Sequence, residues 1–312
     1  MQIAVASGKG GTGKTTAATS LALSLAPALA NRQPVIFLDC DVEAPNAHLY
    51  LHPRINRQQE AVIYIPQVDP GLCTACGRCV EVCQFHALAL IGKKVLVFPQ
   101  LCHGCGSCTL NCPEGAISET PNVIGELEAG WTETGIAFAQ GILTISEPMA
   151  TPIIRQLKRW GKPVAQPLKE TGSDRSPTWA ANDEKPPVQI VILDAPPGAS
   201  CSVVETVRGS DFVLLVTEPT PFGLHDLKQM TGILREMNIP AGVVINRDGI
   251  GDKAVEAYCT AENLPILMRI PFEREIAEGL SAGQPLADIQ PIYREKFQAL
   301  YQQIEAIVAG RA

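Results

Sequence analysis

The sequence predicts a doubly wound α/β fold on a mainly parallel sheet, with a small α+β domain inserted into it. Three observations carry this expectation. Short apolar runs recur at residues 2–7, 34–38, 61–65, 188–193, 212–216, 241–245 and 266–270. Helix-period stretches separate most of the later runs, and strands alternating with helices build a parallel sheet covered on both faces. Eight of the 11 cysteines fall between Cys73 and Cys112, in a stretch that breaks the alternation.

The first run is a strand ending in a Gly-rich turn. An Ala/Leu-rich helix over about residues 14–30 follows, and then a second buried strand at 34–38. The run at 61–65 is a third strand, after which the Cys-rich insert occupies 67–118. Residues 1–66 and 119–312 form one discontinuous domain around it. The polar stretch 167–187, with Pro near both ends, predicts a flexible surface loop. Helical patterns at 223–237 and 253–263 separate the last strands. Finally, Ile292, Phe297, Leu300, Tyr301, Ile304, Ile307 and Val308 share one face of a closing helix over 291–308.

A chain of 312 residues fits two domains, or one with an insertion, at roughly 150 residues per domain. With 46% hydrophobic and 18% charged residues it buries a core rather than staying disordered. The net charge of −7 argues against a nucleic-acid or membrane-surface binder, since no basic excess neutralises phosphates. The start has no basic segment followed by a long apolar one. The longest apolar stretch, 17–30, is interrupted by Thr19, Ser20, Ser24 and Pro27. It falls short of the ~18 apolar residues that span a bilayer. A cytoplasmic protein without stable membrane insertion is expected.

Gly8-Lys9-Gly10-Gly11-Thr12-Gly13-Lys14-Thr15 satisfies G-x-x-x-x-G-K-[ST] between a strand and a helix. Glycines let successive backbone N–H groups turn toward phosphates, and the helix N-terminus adds its positive dipole end. Lys14 reaches the β- and γ-phosphates, and the Thr15 hydroxyl ligates Mg²⁺. A nucleoside triphosphate and Mg²⁺ are therefore the expected cofactors, and the family resemblance that follows implies ATP. Lys9 is the unusual member, because a second lysine is not needed to hold a nucleotide within one subunit. Its expected task is to reach across a dimer interface to the partner's nucleotide, as an arginine finger acts in trans.

Lys9 to Thr16 resembles the deviant Walker A loop of the MinD/ParA/Mrp family of P-loop ATPases, to which the nitrogenase iron protein is related. Leu193-Asp194-Ala195-Pro196-Pro197-Gly198 is similar to the family's Walker B strand end and switch, and Leu38-Asp39-Cys40-Asp41 to its second strand end. The resemblance implies that Asp194 holds Mg²⁺ through water, that Asp39 supports that shell, and that Asp41 orients the attacking water. A helix N-cap is the alternative for each aspartate. Ile245-Asn246-Arg247-Asp248 and Ile270-Pro271-Phe272 resemble strand ends beside the base, which makes Asn246, Arg247 and Pro271 candidates there. The resemblance also implies an ATP-closed homodimer, or a heterodimer with a similar ATPase.

Cys73-x₂-Cys76-x₂-Cys79-x₃-Cys83 repeats 29 residues later as Cys102-x₂-Cys105-x₂-Cys108-x₃-Cys112. This spacing resembles that of bacterial two-cluster ferredoxins, where three thiolates hold one cubane and the fourth serves the other. The resemblance implies one 4Fe–4S cluster on Cys73, Cys76, Cys79 and Cys112, and a second on Cys102, Cys105, Cys108 and Cys83. Disulfides do not suit a cytosolic chain, and zinc leaves the doubled spacing unexplained. Pro113 follows Cys112 as the pattern expects, whereas Gln84 follows Cys83. Three outputs stay open: ATP-gated electron transfer to a redox partner, delivery of an Fe–S or metal cluster to an acceptor protein, and a MinD-like positioning or regulatory ATPase that senses redox state. Cys40 and Cys201 read either as small core fillers or as ligands or redox sensors across a dimer, and His86 and His103 read as surface or packing residues.

Overall fold

Most of the apolar runs become strands buried on both faces, whereas 61–65 and 266–270, on the two edge strands, are only partly covered. The computed structural model describes residues 1–29, 34–164 and 189–311. Its first half runs β1 (Gln2–Ala6), α1 (Lys14–Leu29), β2 (Val35–Asp39), α2 (His48–Leu51), β3 (Arg54–Val68), α3 (Arg78–Glu81), β4 (Leu88–Ile91), β5 (Lys94–Val97), α4 (Ser107–Leu110) and β6 (Ile117–Trp131). The second half is β7 (Ala137–Leu143), α5 (Thr151–Val164), β8 (Ile190–Asp194), α6 (Cys201–Val207), β9 (Phe212–Thr217), α7 (Pro221–Glu236), β10 (Ala241–Asp248), α8 (Ala254–Ala261), β11 (Ile266–Pro271), α9 (Arg274–Ser281), α10 (Leu286–Ile289) and α11 (Ile292–Ala309). The expected loop at 167–187 lies outside the described residues.

Nine strands form one sheet in the order β11-β10-β9-β1-β8-β2-β7-β6-β3. Pairings from β11 through β7 are parallel, as expected. Along β1, Ile3 and Val5 enter the core under α1 and α11, while Ala4 and Ala6 enter the core under α5 to α8. Two buried faces explain why these strands read as unbroken apolar runs. In α11, Phe297, Leu300 and Ile304 are fully buried against the core, as the helical spacing requires.

One departure changes the architecture. The run at 61–65 is only the middle of a 15-residue strand, and β6 returns along its full length in antiparallel register from Arg54↔Trp131 to Val68↔Ile117. β7 supports β6 only from Gly125 to Trp131. Beyond that row, residues 62–68 and 117–124 project as a two-stranded arm, and a bulge between Ala61 and Val62 marks its root. The Cys-rich insert sits at the arm's tip. Its 67–118 span thus begins and ends within strands, with α3, the hairpin β4–β5 and α4 between. Since β3 runs parallel to β1, the insert leaves the sheet at the edge where the Gly-rich loop emerges. Five strand steps of about 4.8 Å each separate them, roughly 24 Å.

Candidate functional site

β1 delivers the Gly-rich loop at the carboxyl edge of the sheet, where parallel α/β folds bind ligands. Gly13 has φ +90°, and a Cβ there would collide with the Asn246 amide, so the loop and β10 approach through a position only glycine fills. The Asn246 Nδ2 donates to the Thr12 carbonyl at 2.7 Å. Thr12 itself is buried, and its hydroxyl has no partner among the described residues. An orphaned hydroxyl in a turn of backbone N–H groups fits a phosphate ligand.

Lys14 and Asp194 form the ionic centre. Lys14 Nζ donates to Asp194 Oδ1 at 2.6 Å, and the Thr15 hydroxyl donates to Asp194 Oδ2 at 2.6 Å. Burial pulls the Lys14 pKa down, but Asp194, backed by Asp41 and Asp39, more than offsets it and holds the ammonium above its usual range. Asp39 is fully buried and accepts N–H bonds from Asp41, Asn46 and Ala47 at 3.0 to 3.1 Å, pinning the turn after β2. Burial, with Asp194 next, pushes its carboxyl up to about 7. Burial likewise pushes Asp41 up to about 6, against the pull of Lys14. The hard-oxygen set of Thr15, Asp39 and Asp194 suits Mg²⁺.

These groups open on a cavity of about 440 Å³. Gly10, Gly11, Gly13, Lys14, Thr15 and Thr16 form one wall, with Asp41 and Pro197 beside them. Asn246, Arg247 and Pro271 line it too, so the ends of β10 and β11 meet the Gly-rich loop there. Asp39 and Asp194 lie behind this lining, fully buried. Phe272, Ile276 and Leu280 supply an apolar wall. No motif in the sequence marks Ile276 and Leu280, which come from α9, nor Asn46 and Tyr50.

Lys9 also lines the cavity, and its ammonium is paired within the subunit, 3.0 Å from Glu218 Oε2. Arg247 takes the other oxygen of Glu218 at 2.7 Å. Glu218, 5% exposed at its side chain, holds two cations at the cavity rim. It lies just past the 212–216 run and belongs to no motif read from the sequence.

At the arm's tip the duplication is written into the backbone. Ala75 and Gly104, Gly77 and Gly106, and His86 and Gly115 occupy equivalent places and all have positive φ. Ala87 N–H donates to Cys83 Sγ and Ala116 N–H to Cys112 Sγ, both at 3.3 Å. Cys73, Cys76, Cys79 and Cys112 line one small cavity, and Cys83, Cys102, Cys105 and Cys108 line another. All are free thiols. Among the described residues no group of three or more His, Cys, Asp or Glu forms a site for a single metal ion. Each quartet instead surrounds a space, a donor set that fits a polynuclear group with one iron per thiolate. Tyr64 and Pro66 of β3 wall the second cavity, where Phe85 stacks on His103 at 3.8 Å. Cys40 is buried in the main core, with its thiol pushed far up by burial, whereas Cys201 is exposed at the start of α6.

The strand, Gly-rich loop and helix, with a buried Lys–Asp pair behind a cleft of about 440 Å³, define a P-loop nucleotide-binding protein. Residues 3–286 match the CobQ/CobB/MinD/ParA nucleotide binding domain; the chain belongs to that family and is an ATPase of the MinD/ParA type. An uncharacterised protein of Methanocaldococcus jannaschii is 28% identical over 99% of this chain and 98% of its own length. An iron–sulfur cluster carrier protein of Aquifex aeolicus is 27% identical over 33% of each chain. The fold is similar to that of the cell division ATPase MinD of Pyrococcus furiosus, with TM-score 0.53 and 19% identity over 98% of each chain. MinD of Pyrococcus horikoshii OT3, solved with Mg-ADP, also has TM-score 0.53, with 16% identity over 100% of this chain and 98% of its own. Among the described residues no helix is long and apolar enough to cross a membrane.

Proposed function

We propose that this ATPase is a dimeric switch carrying two 4Fe–4S clusters, which couples ATP turnover to electron transfer or to cluster delivery to a partner protein. The observation that carries the reading is the sorting of eight cysteines into two quartets around separate cavities, on the same sheet edge as the nucleotide cleft. The quartets match the ligand sets that the doubled spacing implies. When bound, such clusters supply one-electron chemistry at potentials set by charge and by hydrogen bonds to sulfur.

The chain's own residues account for the nucleotide cycle. The Gly10–Thr15 backbone and the Thr12 hydroxyl hold phosphates. Lys14 leaves Asp194 for the β- and γ-phosphates, which frees Asp194 and the Thr15 hydroxyl for Mg²⁺. Asp41, on the cavity wall, orients the attacking water, and Asn246 and Pro271 flank the base. Lys9 exchanges Glu218 for the partner subunit's nucleotide. The partner is a second copy or a similar ATPase, and the acceptor is a redox or Fe–S protein. The partial likeness to an iron–sulfur cluster carrier favours delivery as one output.

Anaerobic purification, iron and sulfide analysis, and EPR of the reduced protein with and without MgATP test this reading. Iron and sulfide filling both quartets, with spectra that respond to nucleotide, are expected. Iron-free protein, or spectra blind to MgATP, would overturn it. Labile iron that moves to an apo acceptor selects delivery; retained iron with an ATP-shifted potential selects electron transfer.

A further inference from the structure

The nucleotide cleft and the insert are too far apart along the sheet to touch, yet one element is bonded toward both. α5 packs on β2, β7, β6 and β3, and on α6. Ile153, Ile154 and Leu157 are fully buried beneath it. Its outward residues make two sets of polar bonds, one at each side.

Toward the cleft, Lys158 Nζ donates to the carbonyls of Glu205, Thr206 and Arg208 at 2.7, 2.8 and 2.7 Å. A cation at a helix C-terminus meets the negative dipole end, and its bonds are charge-assisted. Arg155 adds a forked contact to Glu205, at 3.3 and 3.1 Å. Both grip α6, the helix that directly follows the Pro196-Pro197-Gly198 turn. Pro197 lines the nucleotide cavity, and Gly198 N–H donates to the Ser7 carbonyl at 3.1 Å. That turn leads directly into α6, so a shift of the turn on phosphate binding would be passed to α6.

Toward the insert, the Gln156 amide bonds the Val62 backbone twice. Nε2 donates to the Val62 carbonyl at 3.0 Å, and Oε1 accepts from the Val62 N–H at 3.2 Å. Val62 lies on the edge strand, at the bulge where the arm leaves the support of β7. The side chain thus takes the place of a further strand at the arm's pivot. The next turns of β3 hold the second cysteine cavity, since Tyr64 and Pro66 wall it. A Cβ on Gly104 would press on Ile63 and Tyr64.

We propose that α5 is the mechanical link between the nucleotide switch and the cysteine-bearing arm, with Lys158 and Arg155 as its grip on α6 and Gln156 as its grip on the pivot. These are positioning residues. The link makes the Cys83, Cys102, Cys105 and Cys108 site the one that responds to nucleotide. The assignment of output rests on the cluster reading above; the mechanical link does not.

Hydrogen exchange on the full chain, with and without MgATP, separates the two. In the wild type, protection is expected to change both at residues 195–207 and at residues 61–66. Lys158→Met and Gln156→Leu should keep the response at 195–207, which reports a folded, nucleotide-binding chain. Their response at 61–66 should fall to less than half. Lys158→Arg should restore it. A wild-type response confined to 195–207, or an unchanged 61–66 response in both variants, overturns the link. Iron-free protein that still transmits the response supports the link and sinks the cluster reading; iron-replete protein that fails to transmit it sinks the link alone.

Discussion

Two buried carboxylates, each shared by two partners, organise the nucleotide site at the scale of single residues. Asp194 takes Lys14 and Thr15, and Glu218 takes Lys9 and Arg247. Removing one partner of a buried pair leaves an uncompensated charge, so Lys14→Met should lower unfolding free energy by about 3 kcal/mol in urea and abolish ATP binding. An unchanged midpoint would show that the pair does not hold the apo site. Lys9 is partly exposed, so Lys9→Ala should leave stability and ATP affinity nearly unchanged. If the lysine acts in trans, turnover falls by on the order of 10³-fold, the range of an arginine finger; wild-type turnover would retire that role. The raised carboxyls give a pH signature. Asp39 at about 7 and Asp41 at about 6 keep protons that the unfolded chain releases near ~4. Nucleotide-free protein without Mg²⁺ should therefore lose stability as pH rises from ~4 through about 7, because the folded state binds more protons there. Asp39→Asn should flatten that slope in denaturation series, and a slope of opposite sign would contradict the assignment.

Among elements, the arm of β3 and β6 is the part least visible from the residues. Residues 54–60 of β3 are almost all exposed or half-exposed, as are 118–123 of β6. A ribbon wet on both faces carries no hydrophobic alternation, so only its buried middle, Ala61 to Ile65, stood out. β7 is buried but broken in pattern by Gln140 and Gly141, and α5 hides a narrow apolar stripe among Arg155, Gln156, Lys158 and Arg159. The parallel strands were readable because both of their faces are covered. The end of the ribbon opposite the arm allows a sharp test. Gly130 pairs with Ile55, and a Cβ there would overlap the Arg54 carbonyl, a backbone group that cannot step aside. Gly130→Ala should cost about 1–3 kcal/mol in denaturant and loosen exchange protection at the start of β3. A loss within error would mean that this end of the ribbon is not packed as described.

For the whole molecule, the insert behaves as a tip graft. Val68 pairs with Ile117, and Asp69 N–H donates to the Ala116 carbonyl at 2.8 Å, so the arm closes across the insert's base. Replacing residues 69–116 by Asn-Gly should leave a hairpin of the right register, and a chain that folds and binds ATP but holds no iron. Insoluble protein or lost ATP binding would show that the main sheet depends on the insert. The residues alone determined the phosphate loop and the doubled cysteine spacing, because each is set by local chemistry: backbone N–H groups that must converge within one turn, and thiolates that must recur at fixed intervals. They also marked the aspartates that end β2 and β8. Tertiary structure decided what those groups touch. Glu218 claims Lys9, Asn246 is spent on the Thr12 carbonyl, and α5 reaches both α6 and the arm, because contacts between residues far apart in the chain depend on strand order and on which edge each strand leaves, and neither is encoded in a local pattern.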